Sequence, residues 1–459
     1  MSEPEDLLDS PLSLRALEGG DGASRMLHAL QANILHAHVR THLRVLALRI
    51  EAPYAARRGL SDVARSMKTA ARQFEELHAY RTTRQPASAY VGVALSASGY
   101  ERLQIEHARW PDDPAFREGI RRRNLGDPAP AHWQPAYRDG VDALVLVGSH
   151  SQGLTAHKVR EVLAELGGSV SVVADEVGRT LTNADGNGIE HFGYTDGRSQ
   201  PLFVEEDLEH ERATTDGTGH YNPLVPLDQV LVRDPGVASD HCFGSFLIYR
   251  KLEQHVRAFA EQEARVARQL HLTGSDAERA GAMLVGRFED GTPLSLADRE
   301  GMANPIPNDF TFADDPAGAR CPYAAHIRRM NPRTDGVPRT VLARRGQSYG
   351  ERADNPNDGD TATKPAGGVG LLFLAMVARI EEQFESLQLA ANGDDGGPFD
   401  PVAGQWRALD TDPEIALGRH WDDAREATTS LPLESVVSFQ GGEYLFLPSV
   451  EFLVGLDDR

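Results

Sequence analysis

The sequence predicts an α+β fold in which one arrangement of strands and helices occurs in two successive halves of the chain. The first observation is a pair of strand-helix-strand passes within residues 41–174, which favours helices on one face of a sheet. The second is the return of this pattern after residue 243, although residue identity between the halves is not apparent. The length of 459 residues is too great for one small core and indicates two or three domains.

The first pass begins with a strand over residues 41–50, where apolar residues alternate with polar ones. Ser61 or Asp62 is expected to cap the following helix. Its inward face carries apolar residues at spacings of three and four: Val63, Met67, Ala70, Phe74 and Leu77. A short apolar strand over residues 90–95 completes the pass.

The second pass has a buried strand over residues 142–149 and a β-branched strand over residues 169–174. Thr155 is expected to cap the helix between them, and Gly167 to end it. Residues 110–135 are rich in Pro, Arg and Asp, and residues 177–240 are rich in Gly, Asp and Pro. Both segments are predicted to be mostly irregular.

The second half opens with a strand over residues 243–250 and an amphipathic helix. The inward residues of that helix are predicted to be Leu252, Val256, Phe259, Val266 and Leu270. A strand over residues 370–377 then leads into a helix that carries Ile380, Phe384 and Leu387. Residues 435–439 and 444–447, separated by two glycines, are predicted to close the fold as a hairpin.

Composition and charge argue against several classes of function. The net charge of −21 argues against a broad surface for nucleic acid or anionic lipid. The two cysteines, Cys242 and Cys321, form no Cys-x-x-Cys-His motif, and from this we expect neither covalent c-type haem attachment nor a thiol-ligated zinc site. We see no signal peptide, twin-arginine segment or membrane span, and therefore expect a cytoplasmic protein. A homo-oligomer is compatible with the sequence.

One histidine stands in a segment rich in arginine. His326 lies within residues 321–333, together with three arginines that end at Arg333, and Arg344 follows shortly after. An imidazole that can bind iron, beside cations that can pair with propionates, is what a haem pocket requires. Alone, such a segment is more typical of a solvated surface.

A second candidate is Asp196, which lies between Gly193 and Gly197. Glycines let the backbone approach a flat ligand closely, so a carboxylate on this turn can be directed at one atom of it. The alternative is that Asp196 merely stabilises its own turn. For Arg344 and Tyr349 the corresponding alternatives are a surface cation and a packed ring.

Taken in order, these segments resemble the dye-decolourising peroxidase family. The resemblance rests on Gly193-Tyr-Thr-Asp196-Gly197, then His326-Ile-Arg-Arg, then Arg344-Arg-Gly346, then Gly441-Gly-Glu443-Tyr. It extends from about residue 31 to residue 454. It implies two tandem ferredoxin-like domains of the dimeric α+β barrel type, with non-covalent haem b held mainly by the second. The corresponding division is a flexible acidic N-terminus (1–24), an N-terminal domain carrying Asp196 (25–200), a linker (201–240) and a C-terminal haem-binding domain (241–459).

The resemblance also implies a peroxidase that uses hydrogen peroxide to oxidise dyes, phenols and other one-electron donors through an oxoferryl intermediate. His326 would be the axial iron ligand. Asp196 would move the peroxide proton, and Arg344 would stabilise the charge that develops as the O–O bond breaks. The alternatives are a non-catalytic haem-binding or haem-handling protein on the same fold, which would need neither distal residue, and a haem-free interaction protein.

Supporting roles follow from the same resemblance. Gly193 and Gly197 would lie against the cofactor, and Arg333 and Arg339 would pair with its propionates. The acid that orients His326 is left open among Glu381, Glu382 and Glu385. Simple packing is the more typical role of an aromatic residue, but six could relay electrons: Trp110, Trp133, Trp406, Trp421, Tyr349 and Tyr444.

Three residues depart from the family pattern, and one of them, Ala32, replaces a common Gly in an N-terminal turn. Tyr194 replaces a usual Phe and keeps the ring. Arg198 replaces a usual aliphatic residue. Pointing inward, Arg198 would add a cation beside Asp196; the alternative is that it points to solvent.

Overall fold

Eight strands form the framework of the protein. We describe it from a computed structural model that covers residues 7–15, 22–38, 40–333, 340–405 and 413–457. The strands are His42–Ile50 (β1), Tyr90–Ser96 (β2), Ala143–Ser149 (β3), Val170–Arg179 (β4), Phe243–Gln254 (β5), Gln347–Tyr349 (β6), Gly370–Val377 (β7) and Val437–Leu447 (β8).

These strands close into a barrel. Their order is β5-β8-β2-β3-β1-β4-β6-β7, and β7 pairs in turn with β5. Every neighbouring pair is antiparallel. Closure pairs the strands that would otherwise be edges, which allows β2 and β3 to be buried along their whole length.

The barrel contains the predicted duplication. In the first half the strands lie in the order β4-β1-β3-β2, and in the second half in the order β8-β5-β7-β6. Both halves therefore place their first to fourth strands in the order fourth, first, third, second. The halves join where β8 meets β2 and where β4 meets β6. The predicted α+β fold with two ferredoxin-like halves is confirmed.

Helices cover the sheet and connect its strands. The α-helices are Gly22–Ala29, Pro53–Arg65, Ala70–Thr83, Ala97–Arg102, Pro114–Glu118, Pro135–Arg138, Gln152–Leu166, Glu205–Thr214, Val256–Gln269, Arg279–Val285, His326–Met330, Ser386–Ala391 and Val450–Val454. A π-helix, Ile380–Glu385, precedes Ser386–Ala391. The 3₁₀ helices are His107–Arg109, Ile120–Arg122, Pro130–His132, Gly167–Ser169, Leu227–Gln229, Gly274–Asp276 and Thr361–Thr363. The remaining strands are Leu181–Thr182, Gly188–Ile189, Val232–Arg233, Ala343–Arg344, Glu414–Leu417 and Thr429–Pro432.

The prediction of a single helix from Ser61 through Leu77 is wrong. The chain forms two helices, Pro53–Arg65 and Ala70–Thr83, separated by a short break. The side chain of Thr69 caps the second helix by accepting a hydrogen bond from the backbone N–H of Arg72 at 3.3 Å. The apolar spacing continued across the break because Val63 and Phe74 face the same core.

The prediction of a closing hairpin is also wrong. Residues 437–447 form one continuous strand that pairs with β5 throughout, with a bulge between Phe439 and Gly441. The glycine pair marks this bulge rather than a chain reversal. The segments predicted to be irregular contain short helices, including Glu205–Thr214 within residues 201–240.

The proposed division into domains stays a prediction, since each half supplies four strands to a single closed sheet. In the described ranges, no helix is long and apolar enough to cross a membrane.

Candidate active site

Asp196 lies on a glycine-containing loop between β4 and the helix Glu205–Thr214. Gly193 and Gly197 both have positive φ, at 104° and 85°, a region that an L side chain rarely adopts. Asp196 fixes the turn, because its Oδ1 accepts the N–H of Gly197 at 2.6 Å and its own N–H donates to Gly188 O at 3.0 Å. The turn-stabilising role is therefore real, yet the carboxylate remains 45% exposed.

Arg344 meets this carboxylate from the other half of the chain. It lies on the short strand Ala343–Arg344, which pairs with β7, and its backbone N–H donates to Gln200 Oε1 at 3.1 Å. Its Nη1 lies 3.3 Å from Asp196 Oδ1. The structure thus places a fixed cation beside a carboxylate that is 148 positions away in sequence.

His326 begins the helix His326–Met330, and its ring is held by a buried acid. His326 Nδ1 lies 2.8 Å from Asp400 Oδ2. Asp400 is fully buried, and its Oδ1 accepts the N–H groups of Val402 and Ala403 at 2.8 and 3.0 Å. With Nδ1–H donating to Asp400, Nε2 carries the lone pair that a metal ion would take. Burial acts to lower the pKa of His326, but the charge and hydrogen bond of Asp400 raise it overall.

The expectation that Glu381, Glu382 or Glu385 orients His326 is wrong. Glu381 and Glu385 both pair with Arg123, and Glu382 pairs with Arg379 at 2.8 Å. Sequence reasoning missed Asp400 because it lies 74 positions from His326 in a segment that matches no pattern we used. Its one local signal is a Pro-Phe-Asp-Pro sequence, typical of a tight turn.

Asp196, Arg344 and His326 line one cavity of about 460 Å³. Its remaining wall is largely apolar and comes from both halves of the chain. Representative lining residues are Ile189, Val285, Leu371, Phe373, Phe384 and Leu387. A large apolar cavity with a few convergent polar groups is typical of a cofactor or ligand site.

Arg333 also lines the cavity but is engaged by protein atoms. Its Nη1 donates to Asn308 O at 2.7 Å and to Phe310 O at 2.8 Å. Its guanidinium lies between the rings of Tyr221 and Phe310, about 4 Å from each centroid. Arg339, the other predicted propionate partner, lies outside the described residues.

Arg198 lines the same cavity, where its guanidinium is bound by protein atoms. Its Nε donates to Ile306 O at 2.6 Å, and its Nη1 to Glu211 Oε1 at 2.7 Å. These bonds pair its charge with Glu211. Trp406, one of the candidate electron relays, lies outside the described residues.

Comparison with known proteins gives consistent results. Residues 29–180 match the DyP dimeric alpha+beta barrel domain. The chain is 42% identical to the multifunctional dye peroxidase DyP2 of Amycolatopsis sp., over 98% of this chain and 99% of that protein. It is 29% identical to the dye-decolorizing peroxidase msp1 of Mycetinis scorodonius, over 80% of this chain and 76% of that protein.

Solved structures agree with the sequence comparison. The structure of DyP2 from Amycolatopsis sp. superposes with a TM-score of 0.92 and covers 98% of this chain and 99% of that chain. A DyP-type peroxidase from Anabaena sp., 32% identical, superposes with a TM-score of 0.89 and the same coverage.

Proposed function

This chain belongs to the dye-decolourising peroxidase family, and from that membership we propose that its cavity binds haem b with His326 as the axial iron ligand. The protein is an oxidoreductase that uses peroxide to oxidise dyes. Phenols and other small aromatic one-electron donors are our proposal for its wider substrate range. The main support for this proposal is that one cavity holds the Asp196–Arg344 pair together with an imidazole oriented by Asp400.

The donor set fits haem. Non-covalent haem needs an apolar cavity, one imidazole with a free nitrogen, and cations near its propionates. The cavity wall is largely apolar, and the hydrogen bond from His326 Nδ1 leaves Nε2 for iron. The negative charge of Asp400 makes the imidazole a stronger electron donor. Arg333 remains our proposed propionate partner, because the protein contacts described above hold its charge at the cavity wall.

The distal residues divide two tasks. Haem supplies the electron chemistry that reduces peroxide at the expense of two one-electron donors. We assign Asp196 to accept the proton from one peroxide oxygen and return it to the other, which then leaves as water. We assign Arg344 to stabilise the negative charge that develops on the leaving oxygen, since a guanidinium remains charged throughout. The two groups already lie 3.3 Å apart in the structure.

Absorption spectroscopy tests the proposal. Purified protein loaded with haem should show a Soret band that changes on addition of peroxide and returns as a dye is oxidised. His326→Ala should weaken haem retention and alter the ferric spectrum. His420→Ala is the matched control, because His420 is an exposed residue paired with Glu426 at 2.8 Å. Wild-type haem content and spectrum in His326→Ala would place the axial ligand elsewhere.

The cytoplasmic location, the homo-oligomeric state and the domain limits stay predictions. Fractionation of the native host and light scattering of the purified protein would test the first two.

A further inference from the structure

A second cluster of metal-binding side chains lies at the start of β5. His241 and Cys242 directly precede this strand, and Glu451 is in the first turn of the helix Val450–Val454. Cys242 Sγ lies 2.8 Å from Glu451 Oε2, and His241 Nε2 lies 3.5 Å from the same oxygen. One ligand atom from each residue falls within 4.8 Å of the others.

The cluster is buried on one side and open to solvent on the other. Cys242 is fully buried, and its backbone carbonyl accepts the N–H of Asp234 at 3.0 Å. His241 and Glu451 are partly exposed, with side-chain exposures of 25% and 49%, so an ion can enter from solvent. Ser239 Oγ contacts the His241 ring, 2.8 Å from Nδ1 and 3.2 Å from Nε2.

We propose that His241, Cys242 and Glu451 bind Zn²⁺, contrary to the sequence-based expectation of no thiol-ligated zinc site. Zinc is bound at about 2.0–2.3 Å by imidazole, thiolate and carboxylate, so neighbouring ligand atoms of a tetrahedral site lie roughly 3.3–3.6 Å apart. The His241–Glu451 separation of 3.5 Å matches this spacing, and the Cys242–Glu451 separation of 2.8 Å requires a small outward movement of the exposed carboxylate. A sulfur and a nitrogen ligand favour zinc over magnesium or calcium, which prefer oxygen.

Zinc would replace the proton that Cys242 shares with Glu451. The thiol donates to the carboxylate in the absence of metal; on binding, the Zn–S bond forms and the proton leaves to solvent. The hydrogen bond between Cys242 and Glu451 involves only two residues. A bound metal ion would explain why a third residue, His241, also lies close to the same oxygen. Three protein ligands leave the fourth position to water.

The proposed role is structural and separate from the peroxidase site. Arg250, which lines the cavity, is eight residues along the strand from Cys242, or roughly 26 Å at the rise of a β-strand. The ion would connect the start of β5 to the C-terminal helix Val450–Val454. Zinc should therefore raise thermal stability and leave peroxide turnover unchanged.

Isothermal titration of the haem-loaded full chain with Zn²⁺, after removal of metals with a chelator, tests this directly. We expect one zinc per chain and a higher melting temperature. Cys242→Ser and His241→Ala should each weaken binding by about tenfold or more, as expected for loss of one of three ligands. His420→Ala should bind zinc as wild type does, since its histidine pairs with Glu426 without a thiol.

Two results would overturn the inference. One is a wild-type chain that takes up no zinc at the concentrations where the melting temperature is measured. The other is a Cys242→Ser variant, folded by circular dichroism, whose zinc affinity and zinc-dependent stabilisation equal those of wild type. Either result leaves the haem assignment untouched, because that rests on different residues.

Discussion

At the residue scale, we propose that Asp196 transfers the proton and that Arg344 stabilises the developing charge. The carboxylate is held by the backbone of its own turn, and Arg344 is positioned by the backbone of a short strand in the other half of the chain. Among the described residues, Arg344 is the cation that lies within salt-bridge distance of Asp196, and Arg198 is bound to Glu211. The two tasks can therefore be tested separately.

Replacing Arg344 by Leu should slow the reaction with peroxide by about two to three decades, because loss of one preorganised donor costs roughly 3–4 kcal/mol. Asp196→Ala should cost no more than this, since water can partly replace a proton carrier. Stopped-flow mixing with peroxide, at matched haem loading, measures both variants. Arg198→Leu is the control and should react as wild type does. A wild-type rate in Arg344→Leu would refute the assignment of Arg344.

Asp400→Asn tests the orientation of His326. The amide is nearly the same size, but it lacks the charge and can present an N–H where His326 Nδ1 requires an acceptor. We expect haem affinity to fall by about 10–100-fold, as for other residues that orient a metal ligand. Haem transfer to an acceptor protein measures the loss. Glu385→Gln, which removes a partner of Arg123, should retain haem as wild type does if Asp400 alone orients the ring.

The sequence predicts those parts of the site that leave a local pattern, and it does not predict contacts between distant segments. The glycines around Asp196 and the arginines around His326 are local patterns, and they marked residues that the structure brings into one cavity. The His326–Asp400 contact joins two segments that only the folded chain brings together, so spacing could not indicate it. The engagement of Arg333 with Asn308 and Phe310 likewise depends on tertiary packing.

At the element scale, the strands were predicted well and the boundaries between elements less well. Residues 370–377 were predicted with the bounds that the structure shows, because a buried strand leaves a continuous apolar run. The break between the helices Pro53–Arg65 and Ala70–Thr83 was missed because the apolar spacing continued across it. The Gly441-Gly442 pair was assigned to a turn because a bulge and a turn use the same residue type.

Gly441→Ala tests the bulge in β8. Gly441 has a φ of 137°, and a Cβ there would lie 2.5 Å from Tyr137 Cβ. Tyr137 is itself fixed by a hydrogen bond to Tyr249, so it cannot easily move away. We expect a loss of about 1–3 kcal/mol in the free energy of unfolding, measured by urea denaturation. Gly168→Ala is the control, because no atom lies within 4 Å of its Cβ.

Equal stability of Gly441→Ala and Gly168→Ala would show that the strand relaxes around the added methyl group. The bulge would then not require glycine.

At the scale of the whole molecule, the closed barrel makes the active site a joint product of both halves. In the chain, Asp196 precedes β5, whereas His326 and Arg344 follow it. The two halves that carry these residues are joined where β4 pairs with β6. Neither half alone holds the full set of residues. Glu190, which lines the same cavity, is close enough to the buried Glu263 for its charge to act on that residue.

These buried carboxylates make stability depend on pH. Burial raises the pKa of Glu263 to about 8, and the charges of Glu289, Glu278 and Glu190 add to the effect, although the hydroxyl of Tyr194 donates to Glu263 and opposes it. Burial likewise raises the pKa of Glu190 and of Glu289 to about 7. The folded chain therefore keeps protons that the unfolded chain has lost, above the ordinary glutamate pKa of 4.5.

The sign of the effect follows from this difference. A carboxyl whose folded pKa is raised contributes stability that is full below pH 4.5 and is lost as the pH rises through the folded value. His191 acts in the opposite direction, because burial lowers its pKa to about 4 and it gains stability up to its ordinary pKa of 6.5. Above pH 6.5 the contribution of His191 is complete, so the carboxyls should determine the slope.

We therefore expect the melting temperature of the wild type to fall between about pH 6.5 and pH 9, and Glu263→Gln to reduce that fall. The amide keeps an oxygen that can accept from Tyr194 but has no proton to lose. Differential scanning fluorimetry across this range measures both slopes, and the variant should gain stability over wild type as the pH rises. Glu161→Gln, on the exposed face of the helix Gln152–Leu166, should leave the slope unchanged. Parallel curves for wild type and Glu263→Gln would mean that Glu263 is ionised in the folded protein throughout, and that the hydroxyl of Tyr194 outweighs burial.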